Sequence, residues 1–443
     1  MTLRPHWPFA IIGLTLWCAT ASCAAGQSAR SDGAPACCSA DVLANGLRIA
    51  ERYRVPAISA RRFTHAEFWS AVQPFLRAPT LRSQQVGESI LGRPIRSVTF
   101  GEGPTKVLLW SQMHGDESTA TMALADIFRF FAEAAADPLR ERLRRSLTLV
   151  FIPMLNPDGA EVFQRENAVG IDVNRDARRL ATPEARTLKK VQETLQPEFG
   201  FNLHDQNART RVGRDGVPSA IALLAPAYDE AKRYNDVRAR ARLVAAVLAT
   251  NFNHEISGRV AKYDDSFNPR AFGDLMQQWG TSTVLIESGA LPDDPQKQRL
   301  RALNVAGVLA ALNAIATRSY TKASPAAYDS LPFNQGGAYD VLVVGGQLVL
   351  PGRAPIHVDL AINYDDAVAR VRGRVRDSGD LAEAIAIDTV NAAGLFLHPA
   401  AESLTTTPSG PMLRLGAVAD IALRRGATTT SELVRRIGTG TQR

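Results

Sequence analysis

The stretch Ser111-Gln-Met-His-Gly-Asp-Glu-Ser118 follows the apolar run Val107-Leu-Leu-Trp110. The run has the length and composition of a buried strand, and Ser118 opens an amphipathic pattern that continues to Phe131. His114 and Glu117 therefore fall where a strand gives way to a helix. A solvated turn capped by Asp116 and Ser118 has this composition. So does a pair of zinc ligands, since catalytic zinc is held by His and carboxylate side chains. The rest of the chain has to separate the two.

The chain has 443 residues, which at ~150 residues per domain allows two or three domains. Apolar residues make up 45% and charged residues 21%, as in globular proteins with a sizeable core. The net charge of +7 arises from 51 Lys and Arg against 44 acids. The basic residues are dispersed, without a block of like charges, so no nucleic-acid partner is expected. All four cysteines, Cys18, Cys23, Cys37 and Cys38, lie near the N-terminus, which leaves the body of the protein without a disulfide framework or a cysteine metal site.

The N-terminus reads as an export signal over residues 1–25. Arg4 supplies the positive start, Phe9–Trp17 a short apolar stretch, and Ala19–Ala25 small residues with A-x-A-like cleavage at Ala21 or Ala25. The apolar stretch is shorter than the ~20 residues a membrane span needs, so no transmembrane span is expected after cleavage. Thr20-Ala-Ser-Cys23 loosely resembles a lipobox, which offers a lipid anchor at Cys23 as an alternative. Both outcomes imply a periplasmic or extracellular protein.

Residues 26–85 read as a linker followed by helical patterns, and the texture then changes. Val107–Trp110, Leu147–Ile152, Phe199–Leu203 and Thr283–Ile286 suit buried strands. Ser118–Phe131, a helix capped by Thr182 with Pro183 in its first turn, Asp229–Ala249 and Leu300–Ala316 suit helices. This alternation predicts an α/β domain over 86–317, with a mainly parallel, doubly wound sheet. Residues 318–336 read as an interdomain linker, 337–426 as a small β-rich domain and 427–443 as a tail.

Sites in open α/β sheets form at the carboxyl ends of strands, where His114 and Glu117 fall. His204, in Phe201-Asn-Leu-His-Asp-Gln206, directly follows another apolar strand and fits as a third ligand. Glu287 ends the run Thr283-Val-Leu-Ile. A carboxylate there can serve as the base of a zinc hydrolase or can cap the sheet.

Between these elements stand Asn156-Pro-Asp-Gly159 and Arg165-Glu-Asn-Ala-Val-Gly-Ile-Asp-Val-Asn-Arg-Asp176. In this order the motifs resemble those of the zinc metallocarboxypeptidases, the carboxypeptidase A-like family. Val86–Ile95 is similar to the opening of the same domain. The resemblance implies one zinc ion per chain on His114, Glu117 and His204, with Glu287 as general base. It implies Arg165 polarising the scissile carbonyl, Asn174 and Arg175 holding the substrate's terminal carboxylate, and Tyr263 as the nearest counterpart of the capping tyrosine. The implied substrate is a peptide with a free C-terminal carboxylate. Asp176 departs from the family, many of whose members carry Asn there. Related deacylases that act on acylated amino acids share His-x-x-Glu and Asp-x-Asn-Arg, and an inactive binding relative would keep the fold alone.

The segments Tyr339–Gly352, Val358–Ile362, Asp388–Leu395 and Leu413–Leu423 resemble the small β-sandwich that flanks the barrel of amidohydrolases. His398 stands where those enzymes begin a His-x-His metal pair. The few residues from His398 to Met412 cannot hold a (β/α)₈ barrel, which needs ~250 residues. A non-catalytic β module is therefore expected.

Overall fold

The computed structural model describes residues 37–214 and 216–439. The expected signal and Cys23 lie outside the described residues. In chain order the elements are α1 (Ala40–Arg52), α2 (His65–Leu76), β1 (Leu81–Glu88), β2 (Pro94–Phe100), β3 (Thr105–Ser111), α3 (Thr119–Glu133), α4 (Pro138–Ser146), β4 (Leu147–Ile152) and α5 (Pro157–Val162). There follow α6 (Pro183–Leu195), β5 (Phe199–Asp205), β6 (Arg211–Val212), β7 (Ile221–Leu224), α7 (Asp236–Glu255), β8 (Val260–Lys262), α8 (Phe272–Gln278), β9 (Ser282–Ser288) and α9 (Gln298–Ala316).

One eight-stranded sheet runs β1-β2-β4-β3-β5-β9-β7-β8. Its central strands β4, β3, β5 and β9 are parallel. Such strands are covered on both faces and read as continuous apolar runs. Phe201, Leu203, Val284 and Ile286 enter one core with α1, α2, α3, α7 and α9, while Leu108, Trp110 and Ile152 enter another with α6 and α8. The expected mainly parallel α/β domain is borne out. Thr182 caps α6 by accepting from the Ala185 amide, and Pro183 fills its first turn. Helix α9 is long and apolar enough to cross a membrane, yet most of it is buried against α1, α3 and α7.

The structure corrects several expected boundaries. Helices α1 and α2 are part of the core of the α/β domain, because Leu43, Ile49, Phe68 and Val72 are buried in it. Each such side chain contributes ~1.5–3 kcal/mol when fully buried. Strand β1 begins at Leu81 and pairs with β2, ahead of the expected start at residue 86. Cys37 and Cys38 are buried in the same core. Helix α7 starts at Asp236 rather than Asp229, since Asn235 accepts from the Arg238 amide and Lys232 has φ 53° in the preceding turn.

The expected linker 318–336 is instead ordered. It carries the short helix α10 (Ala326–Asp329) and strand β10 (Asn334–Gln335), which pairs with β6. Tyr328 is buried there, its hydroxyl accepting from the Ala225 amide.

Beyond it come β11 (Tyr339–Leu348), β12 (Ile356–Asp366), β13 (Val371–Gly379), β14 (Ala386–Asn391), β15 (Phe396–Pro399), β16 (Leu404–Thr407), β17 (Gly410–Leu413), β18 (Ile421–Arg424) and β19 (Leu433–Ile437). The main sheet runs β13-β12-β11-β15-β18-β19, with β14 also on β11. Strand β19 belongs to this sheet, so the β domain extends past 426 into the expected tail. The outer edge of β13 bonds to residues 416–419 and to Gly438, which curls the sheet onto itself and leaves that edge covered. Gly438 must be glycine: φ is 90°, and a Cβ would meet the Ala419 carbonyl oxygen at 1.9 Å. His398 is buried and its Nε2 bonds to the Gly426 carbonyl.

Candidate active site

The turn that carries His114 and Glu117 is set by close backbone packing. A Cβ on Gly115 would meet the backbone carbon of Gly159 at 2.0 Å, so only glycine lets the two turns approach. Asn156 accepts from the Gly159 amide and caps α5, with Pro157 at its start. Asp158 is buried, accepting from Ser89, the Leu91 amide and Arg93. The Asn-Pro-Asp-Gly motif is thus the scaffold against which the His-x-x-Glu turn is seated.

His204 arrives from the end of β5 and Glu287 from the end of β9. Glu117 Oε1 lies 2.7 Å from His114 Nδ1, and its Oε2 lies 2.6 Å from His204 Nδ1. Candidate ligand atoms of the three residues fall within 4.8 Å of one another, and all three residues are buried. Among the described residues this is the one such His/Cys/Asp/Glu cluster found. Two imidazoles and one carboxylate, buried and converging on a point, fit the ligand set of a catalytic zinc site.

Asp172 Oδ1 is 2.9 Å from His114 Nε2 and turns the ring so that Nδ1 faces the cluster. Sequence reading missed this residue, although it lies within the quoted Gly170-Ile-Asp-Val-Asn-Arg175 run. Arg165 donates to Asp172 Oδ2 through Nε (3.2 Å) and Nη2 (3.0 Å), and to Glu117 Oε1 through Nη1 (2.9 Å). The Asp205 amide donates to Glu117 Oε2. Asp205 in turn accepts from Thr119 and from buried Lys297, a contact between distant segments with no local sequence signal.

Burial would raise the Glu117 carboxyl, but His114 and His204 hold it well below the usual carboxylate range. Burial would lower His114, while Glu117 and Asp172 push it up to about 9. Burial keeps His204 below the ordinary imidazole value. Glu287 is pushed well up, first by burial and then by the charge of Glu117. The Glu287 charge and burial raise Tyr263 to about 12.

Asn174 Oδ1 accepts from the Phe272 amide at 2.9 Å, leaving Nδ2 as its end available to a carboxylate. Arg175 sits beside it and donates to the Asn174 carbonyl. Asp176 turns into the protein, accepting from the Ala181 and Thr182 amides and the Thr182 hydroxyl. The departure at this position is therefore structural.

All eight residues singled out from sequence, His114, Glu117, Arg165, Asn174, Arg175, His204, Tyr263 and Glu287, line one cavity of about 670 Å³. Asn202, Asp274, Asn334 and Gly336, which sequence reading did not single out, line it too. Asn334 donates to Gln206, so the strand leading into the β domain forms part of the wall. Arg209 and Arg211 are turned to that domain: Arg209 pairs with Asp340 at 2.8 Å, and Arg211 donates to the Ala386 carbonyl.

Comparison with known proteins bears out the resemblance to the zinc carboxypeptidases over part of the chain. Residues 76–209 match the family model described as zinc carboxypeptidase. A probable carboxypeptidase 2 of Trichophyton verrucosum is 26% identical over 188 residues, 42% of this chain and 34% of the relative. Carboxypeptidase SOL1 of Arabidopsis thaliana is 28% identical over 102 residues, 21% of each chain. The matched part thus spans about a third or less of these relatives' own length. Among solved structures, a metallo-carboxypeptidase from Burkholderia cenocepacia is similar with a TM-score of 0.45 and 19% identity, over 58% of this chain and 70% of that one.

Proposed function

We propose, from the zinc carboxypeptidase match and the cavity geometry together, that this protein is an exported zinc metallocarboxypeptidase that removes the C-terminal residue of peptides. The observation that carries the reading is one cavity holding a two-histidine, one-glutamate cluster, a buried glutamate beside it and an Asn–Arg pair for a carboxylate.

His114 and His204, through Nδ1, and Glu117, through its carboxylate, would hold the zinc. A bound zinc ion would supply Lewis acidity toward a carbonyl and lower the pKa of water. Asp172 keeps the His114 ring oriented. Glu287 takes the proton of the attacking water at its carboxylate and returns it to the leaving amine nitrogen. A carboxyl raised above its ordinary value by burial and by the Glu117 charge is a stronger base than a free carboxylate, which suits taking the water's proton.

Arg165 is clamped by Asp172 through Nε and Nη2, and Nη1, one hydrogen of which goes to Glu117 Oε1, offers its second hydrogen to the carbonyl oxygen as it gains charge. Removing one such donor typically costs 10²–10³ in rate. Arg175 and Asn174 Nδ2 take the terminal carboxylate, which restricts cleavage to the last residue. Tyr263 closes over the bound residue beside Glu287.

The test is mass spectrometry of a peptide library, including D-residue and γ-linked members and N-acyl amino acids, after incubation with the zinc-loaded protein. Loss of single C-terminal residues supports the reading. Exclusive release of acyl groups from acylated amino acids would replace it with a deacylase. Export is tested separately by N-terminal sequencing of the mature chain, with a start shortly after Ala21 or Ala25 expected.

A further inference from the structure

Asn202 lines the cavity, is 1% exposed, and neither its Nδ2 nor its Oδ1 has a hydrogen-bond partner in the protein. Such groups are usually paired when buried, so this amide is aimed at something the cavity receives. It stands two residues before His204 on β5, and alternate residues of a strand share a face. Its register partner Leu285 stands two residues before Glu287 on β9. Gly273 is close to it: a Cβ there would stand 3.6 Å from Asn202 Nδ2. Gly273 adjoins Phe272, whose amide bonds to Asn174. Asn202 therefore lies between the metal-ligand cluster and the carboxylate-holding pair, with Leu224, Pro226 and Leu285 around it.

We propose that Asn202 determines specificity by reading the side chain of the substrate's terminal residue, selecting a neutral side chain that both donates and accepts a hydrogen bond, a carboxamide such as that of glutamine or asparagine. The inference rests on the carboxypeptidase reading. A terminal residue held by its carboxylate at Asn174 and Arg175, with the carbonyl of the residue before it at the cluster, passes over Asn202. Its carboxamide can accept from Nδ2 and donate to Oδ1 at once. An apolar side chain would leave both atoms buried and unpaired, and sites built this way reject analogues that lack the hydrogen-bonding group. Burial pushes the Asp274 carboxyl nearby up to about 7, which weakens its pull on a cationic side chain.

The experiment uses the full-length, zinc-loaded chain and peptides identical except for a terminal Gln, Asn, Met, Leu or Lys. The kcat/KM for Gln or Asn should exceed that for near-isosteric Met or Leu by ~10-fold or more. Asn202→Leu, similar in shape, should reverse that ratio at unchanged zinc content. If Asn202→Leu does not fold, Asn202→Ser should abolish the preference. Calorimetric binding of the uncut peptides to Glu287→Gln should give the same order. An apolar or basic preference in the parent, or an unchanged Gln-to-Met ratio in the Asn202 variants, overturns the proposal. If the parent cuts no peptide, the carboxypeptidase reading fails, and the calorimetric order alone decides Asn202's role.

Discussion

Glu287 and His204 face each other in register across the parallel β5–β9 pair, with Ala222 of β7 on the far side of Glu287. Two adjacent strands that end together place a candidate ligand imidazole and a carboxylate side by side without any loop. The alignment of these two is thereby fixed by sheet hydrogen bonds, while His114, Glu117, Arg165 and Asp172 come from outside the strands.

The ligand cluster leads to the first expectation. The purified protein should hold about one zinc per chain, and His204→Ala should lose most of it. Asp172→Asn should weaken zinc affinity ~10–100-fold, the usual effect of losing a carboxylate behind a ligand histidine. Metal content after dialysis against graded chelator checks both. Full retention by His204→Ala would remove it from the ligand set.

Glu287 sets the second. Its carboxyl is raised by burial and by Glu117, so the base is lost as pH falls through a value above the ordinary glutamate range. The acid limb of kcat/KM should accordingly lie well above pH ~4.3. Glu287→Gln should keep the zinc and fold while losing turnover by several orders of magnitude. A pH–rate profile with no acid limb above the ordinary glutamate value would contradict this.

Asp274 gives a stability prediction. Burial raises its carboxyl from 3.8 to about 7, so the folded state binds a proton that the unfolded state releases. Its contribution is fully present below the unfolded value and is lost as pH rises through about 7. Asp274→Asn should therefore be more stable than the parent at pH 8, by a few kcal/mol, with the gap closing toward pH 4. Denaturant titrations at the two pH values measure it.

The attachment of the β domain gives another. Arg209 pairs with Asp340 and also donates to the Tyr364 carbonyl, and Arg61 pairs with Asp366. Asp340 is 5% exposed, so Arg209→Ala leaves a buried carboxylate without its cation and should cost about 3 kcal/mol. Asp340→Asn in the same background should recover part of the loss. Equal melting temperatures for Arg209→Ala and the parent would show that the pair carries nothing.

Much of the α/β domain was legible because its central strands are buried on both faces. Leu147–Ile152 reads as an apolar run and forms β4 with those bounds. The site was legible where a functional residue directly follows such a run, as His204 and Glu287 do. Asp172 was overlooked because its role appears only once His114 is oriented beside it. Lys297 reaches Asp205 from 92 positions away, and Asn202 looks in sequence like any polar residue in a strand. Helices α1 and α2 read as an appended segment because their apolar faces say that they pack, not onto what. The curl of the C-terminal sheet depends on β13 meeting residues near 417 and 438, which no local pattern records.

Cleavage of one peptide prepared with a free and with an amidated C-terminus tests the central claim most directly. The account predicts that the zinc-loaded protein cuts the free acid and leaves the amide essentially intact, and that Arg175→Ala loses most of its affinity for the acid. Equal cleavage of the two forms would contradict it, because the Asn174–Arg175 end of the cavity would then hold no terminal carboxylate.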